Sequence, residues 1–229
     1  MGIFTLLFMH KMLPYRVFCA VIIVILSVSP LAYAVSPDEN VEEAGESSPE
    51  PALREVGILL GYGDTSVTEK GTYSALPFVV RLGVDCDRYG LGFSDWIERG
   101  IRLFSGREVV IPGETTFLME PFVSFVPEPQ SNVEAGFVIA LKYAYPLTDR
   151  LHPYLLGGGG VMYISQHLRE QATQYNFCPQ VGGGISWYLT PDTMFNLEYR
   201  YRHFSNAGLK EPNDGVNMDM VLAGVSFLY

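Results

Sequence analysis

The sequence predicts an all-β protein, an eight-stranded antiparallel up-and-down transmembrane β-barrel. Its N-terminal segment is typical of an exported protein, and most of the remaining chain alternates apolar and polar residues with a period of two. After the N-terminal segment, no stretch of about 18 uninterrupted apolar residues occurs, which argues against membrane-spanning helices. The segments are even in number, as closure of an up-and-down barrel requires.

Residues 1–34 resemble a cleavable secretory signal. Lys11 and Arg16 precede the apolar run VFCAVIIVIL, and residues 32–34 form an A-x-A cleavage site. The apolar run is shorter than the roughly 20 residues that a retained membrane anchor needs. We therefore expect an exported chain whose mature part begins near Val35.

Residues 35–53 form an acidic leader with six carboxylates, three prolines and little to bury, so we expect this segment to be disordered. Two of the 15 basic residues leave with the signal, so 13 remain against 25 acidic ones, a net charge near −12. That balance argues against nucleic-acid binding. The remaining segment, 54–229, is long enough for one domain of ordinary size.

Strands are predicted from two chemically distinct rows within each alternating segment. In VEAGFVIALKYAYPL, one row contains the large apolar residues Phe137, Ile139 and Leu141, whereas the other is mostly small. In TMFNLEYRYRHFS, the second row contains charges of alternating sign, as in the polar interior of a small barrel. The last segment resembles the C-terminal strand of bacterial outer-membrane barrels. The predicted strands are 54–62, 73–85, 115–126, 133–145, 151–165, 175–189, 192–205 and 216–229.

The connections are predicted to alternate in length between the two ends of the barrel. Residues 146–150 and 190–191 are expected to be short periplasmic turns. One connection on that side, 86–114, is unusually long, and part of it, Ser94 to Leu103, is predicted to be a helix at the inner rim. The predicted outer loops are 63–72, 127–132, 166–174 and 206–215.

The competing architecture is a soluble periplasmic β-sandwich or lipocalin-like barrel, in which the aromatic rows would point into a core. Small residues on the opposite rows favour the membrane barrel, because an eight-stranded barrel has an interior that side chains just fill. Cys86 and Cys178 are predicted to lie near opposite ends, beyond the about 7 Å between Cα atoms that a disulfide allows. We expect both thiols to be free.

His203 and Ser205 continue the outward row at the outer end of the seventh predicted strand. Two residues apart on one strand face, they are about 6.6 Å apart along the backbone, close enough for their side chains to meet. A histidine in that position can act as the base for a serine nucleophile. By itself, the pair is a weak signal, and a strand that simply ends in a polar loop explains it better.

The residues that follow give the pair a context. The segment HFSNAGLKEPNDGVN resembles the signature of the lipid A 3-O-deacylase family, in which His-x-Ser-Asn-Ala-Gly precedes Pro-Asn-x-Gly. Weaker similarity continues through residues 120–126, 153–163 and 177–189. The resemblance implies an eight-stranded barrel in the bacterial outer membrane with a Ser-His-Glu triad. It also implies hydrolysis of the ester at the 3-position of lipid A in lipopolysaccharide, with release of a 3-hydroxy fatty acid.

The resemblance assigns a role to each matching residue. Ser205 is the nucleophile, His203 is the general base and Asn213 stabilises the oxyanion, while the turn from Asn206 to Gly208 offers backbone donors to the same charge. The family's glutamate falls on Asn217, and an amide cannot balance the charge of an imidazolium. The orienting group is therefore expected to be Asn217 or Asp219, which lies on the same outward row.

Other polar residues are assigned ordinary positions. His152 is expected near a periplasmic turn and His167 in an outer loop, both at the surface, and Glu211 is a weaker candidate for the orienting acid. No metal or organic cofactor is implied. Two rival functions remain open: a non-catalytic structural or adhesive barrel and an esterase of another membrane lipid. The sequence also leaves open whether the barrel forms a homodimer.

Overall fold

The computed structural model describes residues 53–67, 71–168 and 170–229. The predicted signal and nearly all of the acidic leader lie outside the described residues. Within these described residues, the chain folds into nine strands, one α-helix and a short 3-10 turn at Asp87–Tyr89. The elements are β1 Leu53–Val67, β2 Gly71–Asp85, α1 Phe93–Ser105, β3 Glu114–Glu128, β4 Asn132–Ala144, β5 Leu151–Ile164, β6 Tyr175–Phe177, β7 Gln180–Thr190, β8 Thr193–Phe204 and β9 Val216–Leu228.

The strands form one closed antiparallel sheet. Apart from β6 and β7, strands that follow one another in sequence pair with each other, and β1 pairs with β9 to complete the circle. Strands β6 and β7 pair with successive parts of β5 and are separated by Cys178 and Pro179, so together they occupy one strand position. The fold is thus a closed eight-stranded antiparallel barrel, as the sequence predicts.

The first hairpin is longer than the sequence predicts. The predicted outer loop 63–72 is wrong, because β1 continues to Val67 and β2 begins at Gly71. Their pairing extends from Gly63 opposite Ala75 to Val67 opposite Gly71. Polar residues at the tip gave a loop-like pattern, but the backbone pairing holds them in the sheet. The other strand boundaries differ from the predicted ones by a few residues.

The long connection between β2 and β3 contains the predicted helix. Helix α1 begins one residue before the predicted Ser94 and ends two residues after the predicted Leu103, at Ser105. Gly106 follows with a φ of 68°, a left-handed conformation that commonly ends helices. Within the described ranges, no helix is both long and apolar enough to cross a membrane.

The outer surface of the barrel is apolar, which excludes the soluble architecture considered above. Phe137, Ile139 and Leu141 on β4 are 42%, 46% and 54% exposed, whereas Val138 and Ala140 between them are buried. In a soluble sandwich or lipocalin-like barrel, the large row would be the buried one. The neighbouring strands repeat this pattern, so an apolar band surrounds the barrel.

The barrel interior contains a compact group of paired charges. Arg81 contacts Glu120 and Glu198, each at 2.8 Å, and Arg200 bridges the same two carboxylates. Elsewhere in the interior, Lys142 pairs with Glu55 at 2.5 Å, and Arg202 pairs with Glu134 at 2.6 Å. Together, these interior pairs contain four cations and four anions, so their charges sum to zero, as the alternating signs in the sequence predict.

Towards the end of the barrel where β8 finishes, the interior becomes apolar. Phe204 is fully buried and its ring lies 5.8 Å from that of Tyr73. Met218 and Ile164 pack in the same cluster. The end of β8 therefore rests on a packed core. Cys86 and Cys178 are both free, as expected.

Candidate active site

His203 and Ser205 lie at the end of β8 and are held from both sides by backbone hydrogen bonds. The His203 amide donates to Pro179 at 2.9 Å, and Ser205 exchanges two hydrogen bonds with Phe177, at 2.8 and 3.1 Å. On the other side, His203 is directly opposite Asn217 of β9. Their neighbours Arg202, Phe204 and Asn206 point inward and are buried, so the two candidate residues point outward.

The His203 ring is oriented by Asn217. The Nδ1 atom lies 2.7 Å from the Asn217 side-chain oxygen. An amide oxygen can only accept, so Nδ1 bears the proton and the lone pair is on Nε2. That tautomer is the one a general base requires, because the lone pair is free to take a proton from a nucleophile.

Gly215 lies against the same imidazole. A Cβ atom at this position would be 2.5 Å from the His203 Cε1 atom and 3.1 Å from Nε2. Gly215 also has a φ of 72°, in the left-handed region that favours glycine. The ring is thus confined between Asn217 and the backbone of Gly215. No role of Gly215 was predicted from the sequence, although its place in the motif was a usable signal.

Asp219, the other candidate for orienting His203, contacts a different residue. Its carboxylate accepts a hydrogen bond from the Tyr199 hydroxyl. On the neighbouring strands, Asp219 is opposite Tyr201 and Asp64. The structure therefore brings Asn217 to His203 and places Asp219 beside Tyr199.

The half-buried Ser205 hydroxyl lies on the same face as His203, two residues along the strand. Within the described residues, it makes no hydrogen bond to the imidazole. Such bonds are often long or absent in a free enzyme and form when substrate binds. Ser205 and His203 thus lie side by side on one face of the barrel, about 6.6 Å apart along the backbone.

The turn after Ser205 presents backbone donors on the outer side of the site. Ala207 and Gly208 have φ values of 56° and 77°, so the chain turns sharply. Both residues are exposed, and within the described residues their amides make no backbone hydrogen bond. Successive free amides in such a turn form a concave site for an anion.

Asn206 and Asn213 support that turn from beneath. The Asn206 amide donates to the Asn213 side-chain oxygen at 2.9 Å, and the fully buried Asn206 side chain donates to the Lys210 carbonyl at 2.7 Å. The Asn206 amide is therefore already used, unlike those of Ala207 and Gly208. The oxygen of Asn213 is occupied too, which leaves its NH₂ group as the donor that this side chain can offer.

A second loop braces the turn. The side-chain oxygen of Gln171 accepts from the Asn206 amide at 3.3 Å, and Gln171 is only 2% exposed. Two backbone bonds join the loops, from Ala172 to Pro212 at 2.8 Å and from Asp214 to Glu170 at 3.0 Å. Gln171 was not predicted from the sequence, because a polar loop residue gives no signal of a distant contact.

The remaining polar candidates lie away from the imidazole. Glu211 accepts a hydrogen bond from the Asn213 amide at 3.1 Å. The His152 ring contacts the Tyr188 ring in a tilted arrangement, with 4.6 Å between ring centroids, near the opposite end of the barrel. His167 is exposed in the loop after β5. In the described part of the chain, no group of three His, Cys, Asp or Glu residues is arranged to hold a metal ion.

The chain matches one protein family and is similar to several solved structures. The chain matches the family model for "Lipid A 3-O-deacylase (PagL)" over residues 92–226, a range that includes β8 and β9. It is similar to the crystal structure of the outer membrane enzyme PagL, with 20% identity and a TM-score of 0.49 over 74% of this chain and 97% of that one. It is also similar to Neisserial surface protein A, with 15% identity and a TM-score of 0.49 over 76% and 96% of the two chains. No curated protein sequence matches the chain significantly.

Proposed function

Because the chain belongs to the lipid A 3-O-deacylase (PagL) family, we propose that it is an outer-membrane esterase that hydrolyses the 3-O-acyl ester of lipid A. The observation that carries the proposal is the 2.7 Å contact between His203 Nδ1 and Asn217, beside Ser205 on the outward face. Polar groups oriented in this way on an apolar wall have no evident structural use. They would meet the head groups and first acyl carbons of a lipid in the outer leaflet.

The first half of the reaction forms an acyl-enzyme. Ser205 Oγ attacks the ester carbonyl while His203 Nε2 takes its proton, and Asn217 holds the opposite ring edge. The amides of Ala207 and Gly208, with the NH₂ group of Asn213, donate to the developing oxyanion. The tetrahedral intermediate then collapses, and the bond between the acyl carbonyl carbon and the sugar oxygen breaks. His203 returns the proton to the departing sugar oxygen.

The second half regenerates the enzyme. Water attacks the acyl-serine as His203 removes its proton, and the 3-hydroxy fatty acid leaves when Ser205 regains a proton. Throughout, the imidazolium faces an uncharged amide. In serine proteases, replacing the triad carboxylate by an amide lowers turnover about 10⁴-fold. We therefore propose a slow enzyme whose third triad position limits its rate.

A strip of two outward glycines on β5, which β7 separates from the candidate site, suggests where the acyl chain lies. Gly157 and Gly159 belong to the outward row of β5, and a Cβ atom at Gly157 would meet nothing within 4 Å. Gly159 adjoins Pro179, whose carbonyl accepts the His203 amide. Leu141, opposite Gly157, is 54% exposed and borders the strip. The missing side chains leave a shallow apolar depression that β7 separates from His203, into which an acyl chain that crosses β7 fits.

Mass spectrometry of lipid A tests the proposal in a lipopolysaccharide-bearing host. Cells producing the protein are expected to lose one 3-hydroxyacyl chain from lipid A, and cells producing Ser205→Ala are expected to keep it. Ser131→Ala, which changes an exposed serine in the β3–β4 loop, is the matched control. Unchanged lipid A, with a barrel shown to be folded by heat-modifiable gel migration, would contradict the proposal.

A second candidate function, a non-catalytic structural or adhesive barrel, is favoured by the amide at the third triad position. It predicts that the unmodified protein and Ser205→Ala give identical lipid A. If Asn217→Glu then produced Ser205-dependent deacylation, the chain would be a family barrel that lost its activity at this position. An esterase of another membrane lipid would instead release fatty acid from purified phospholipid, again dependent on Ser205.

A further inference from the structure

Helix α1 has a clean division between an apolar and a polar side. With 100° between successive residues, its large apolar side chains fall within less than half of the circumference, and its charged side chains occupy the rest. The apolar side contains Phe93, Trp96, Ile97, Ile101, Leu103 and Phe104. A surface helix of this kind normally buries such a side against something.

The helix lies outside the barrel wall, at the end opposite to the candidate active site. The ring of Phe93 contacts that of Tyr143 at 5.4 Å between centroids, and the Phe93 amide donates to the Thr115 hydroxyl at 2.8 Å. Tyr143 belongs to the outward row of β4 that also contains Leu141 and Ile139. The helix thus joins the lower edge of the apolar band.

Most of the apolar side of α1 is not covered by the protein. Trp96 is 68% exposed, Leu103 83% and Phe104 96%. Leu91 and Val110, which precede and follow the helix in sequence, are 62% and 71% exposed. A contiguous exposed apolar patch of this kind marks an interaction surface, because its contact with water is unfavourable.

We propose that α1 lies in the plane of the membrane interface, with this apolar side among the acyl chains of phospholipids. Continuity with the apolar band favours a lipid as the occupant: through Phe93 and Tyr143, the helix extends a surface that already faces acyl chains. Amphipathic helices at an interface bury their apolar side about 5–10 Å below the head groups. With the candidate site at the outer leaflet, as proposed above, α1 contacts the phospholipid leaflet on the periplasmic side.

Tryptophan fluorescence of the full-length protein tests this directly, because the chain has two tryptophans. In Trp187→Phe, Trp96 is the sole reporter. In Trp96→Phe, Trp187, 53% exposed on the outward row of β7, reports on the barrel wall. Both proteins are reconstituted into phosphatidylcholine vesicles brominated either near the head-group end or near the methyl end of the acyl chains. Folding of each is checked by heat-modifiable gel migration.

The proposal predicts that bromine near the head groups quenches Trp96 more strongly than bromine near the methyl ends. It also predicts little quenching of Trp96 by aqueous acrylamide. Strong acrylamide quenching without bromolipid quenching would overturn the proposal, since the helix would then lie in water. Protection of Trp96 that disappears as the protein-to-lipid ratio is lowered would also overturn it, because a second copy would then cover the helix.

A variant on the helix separates lipid contact from mere proximity. Leu103→Asp places a charge on the apolar side and is expected to increase acrylamide quenching of Trp96. Ser105→Asp places the same charge on the polar side and is expected to leave the quenching unchanged. Equal effects of the two variants would contradict the proposed orientation. These readouts do not depend on esterase activity, so they remain informative if the proposed function fails.

Discussion

The two faces of β8 differ in how their polar side chains are paired. On the inward face, Arg200 and Glu198 are buried, and their charges are neutralised by Glu120 of β3 and Arg81 of β2 from across the barrel. On the outward face, His203 meets an uncharged amide, and the Ser205 hydroxyl is bonded to no group of the site. Polar residues that face inward therefore stabilise the barrel, whereas those that face outward are available to a ligand.

The largest expected effect comes from giving the outward face the charge that it lacks. Asn217→Glu places a carboxylate at the Nδ1 edge of His203, where it can stabilise the imidazolium. We expect turnover to rise by up to about 10⁴-fold, the effect of the corresponding triad carboxylate in serine proteases. The measurement is release of 3-hydroxy fatty acid from purified lipopolysaccharide.

Asp219→Asn is the companion variant, since Asp219 contacts Tyr199 instead of His203. It is expected to leave turnover nearly unchanged. A large loss in Asp219→Asn, together with no gain in Asn217→Glu, would show that Asp219 serves His203 during catalysis.

On the inward face, removing one charge is expected to destabilise the barrel. Arg200→Met leaves the buried carboxylates of Glu120 and Glu198 with fewer partners. Breaking a buried pair in this way costs about 3–5 kcal/mol of unfolding free energy. Urea unfolding in detergent micelles measures the change. Arg150→Met, at an exposed turn, is the control and should change it by less than about 0.5 kcal/mol.

Gly215→Ala tests whether the position of the His203 ring matters. The added methyl group would lie 2.5 Å from Cε1, so the ring must move. A displacement of about 1 Å can cost roughly 100-fold in rate, and we expect the loss in kcat with little change in KM. Gly106→Ala has the same backbone strain, with a φ of 68° and nothing within 4 Å, and should leave kcat unchanged. Similar losses in both variants would assign the effect to strain alone.

The smallest expected effect concerns the glycine strip. Gly157→Leu fills open space on the outer wall and should raise KM for lipid A about tenfold, the lower end of what a change in an apolar pocket produces. Folding should be unaffected. Val123→Leu enlarges an outward residue on β3, across the barrel from the candidate site on β8, and should not change KM. An unaltered KM in Gly157→Leu would place the acyl chain elsewhere.

The barrel itself could be predicted from the sequence, because a strand period of two fixes which residues face inward. Neutralisation of the interior charges followed from the same parity. Which of Asn217 and Asp219 contacts His203 could not be predicted from the sequence, since both lie on one row. Register decides it: directly opposite residues on paired strands have Cβ atoms about 4.5–5.5 Å apart, and diagonal ones about 7–8 Å. His203 is opposite Asn217, so Asp219 is on the diagonal.

Two other features depend on contacts that no local pattern encodes. Gln171 reaches Asn206 only because two outer loops pair, and loop polarity does not specify a partner. The long first hairpin was missed because Asp64 and Thr65 are typical of loops, whereas the pairing of β1 with β2 keeps them in the sheet. In both cases, tertiary contacts outweigh local propensity.

The candidate site is contained almost entirely within a single hairpin. His203, Ser205, Asn213, Gly215 and Asn217 span 15 consecutive residues of the chain, and Gln171 is the main brace from outside. Such a site is modular: its chemistry can be lost, regained or altered by exchanges that leave the rest of the barrel untouched. A family built on this hairpin can therefore diversify its reactions while keeping one architecture.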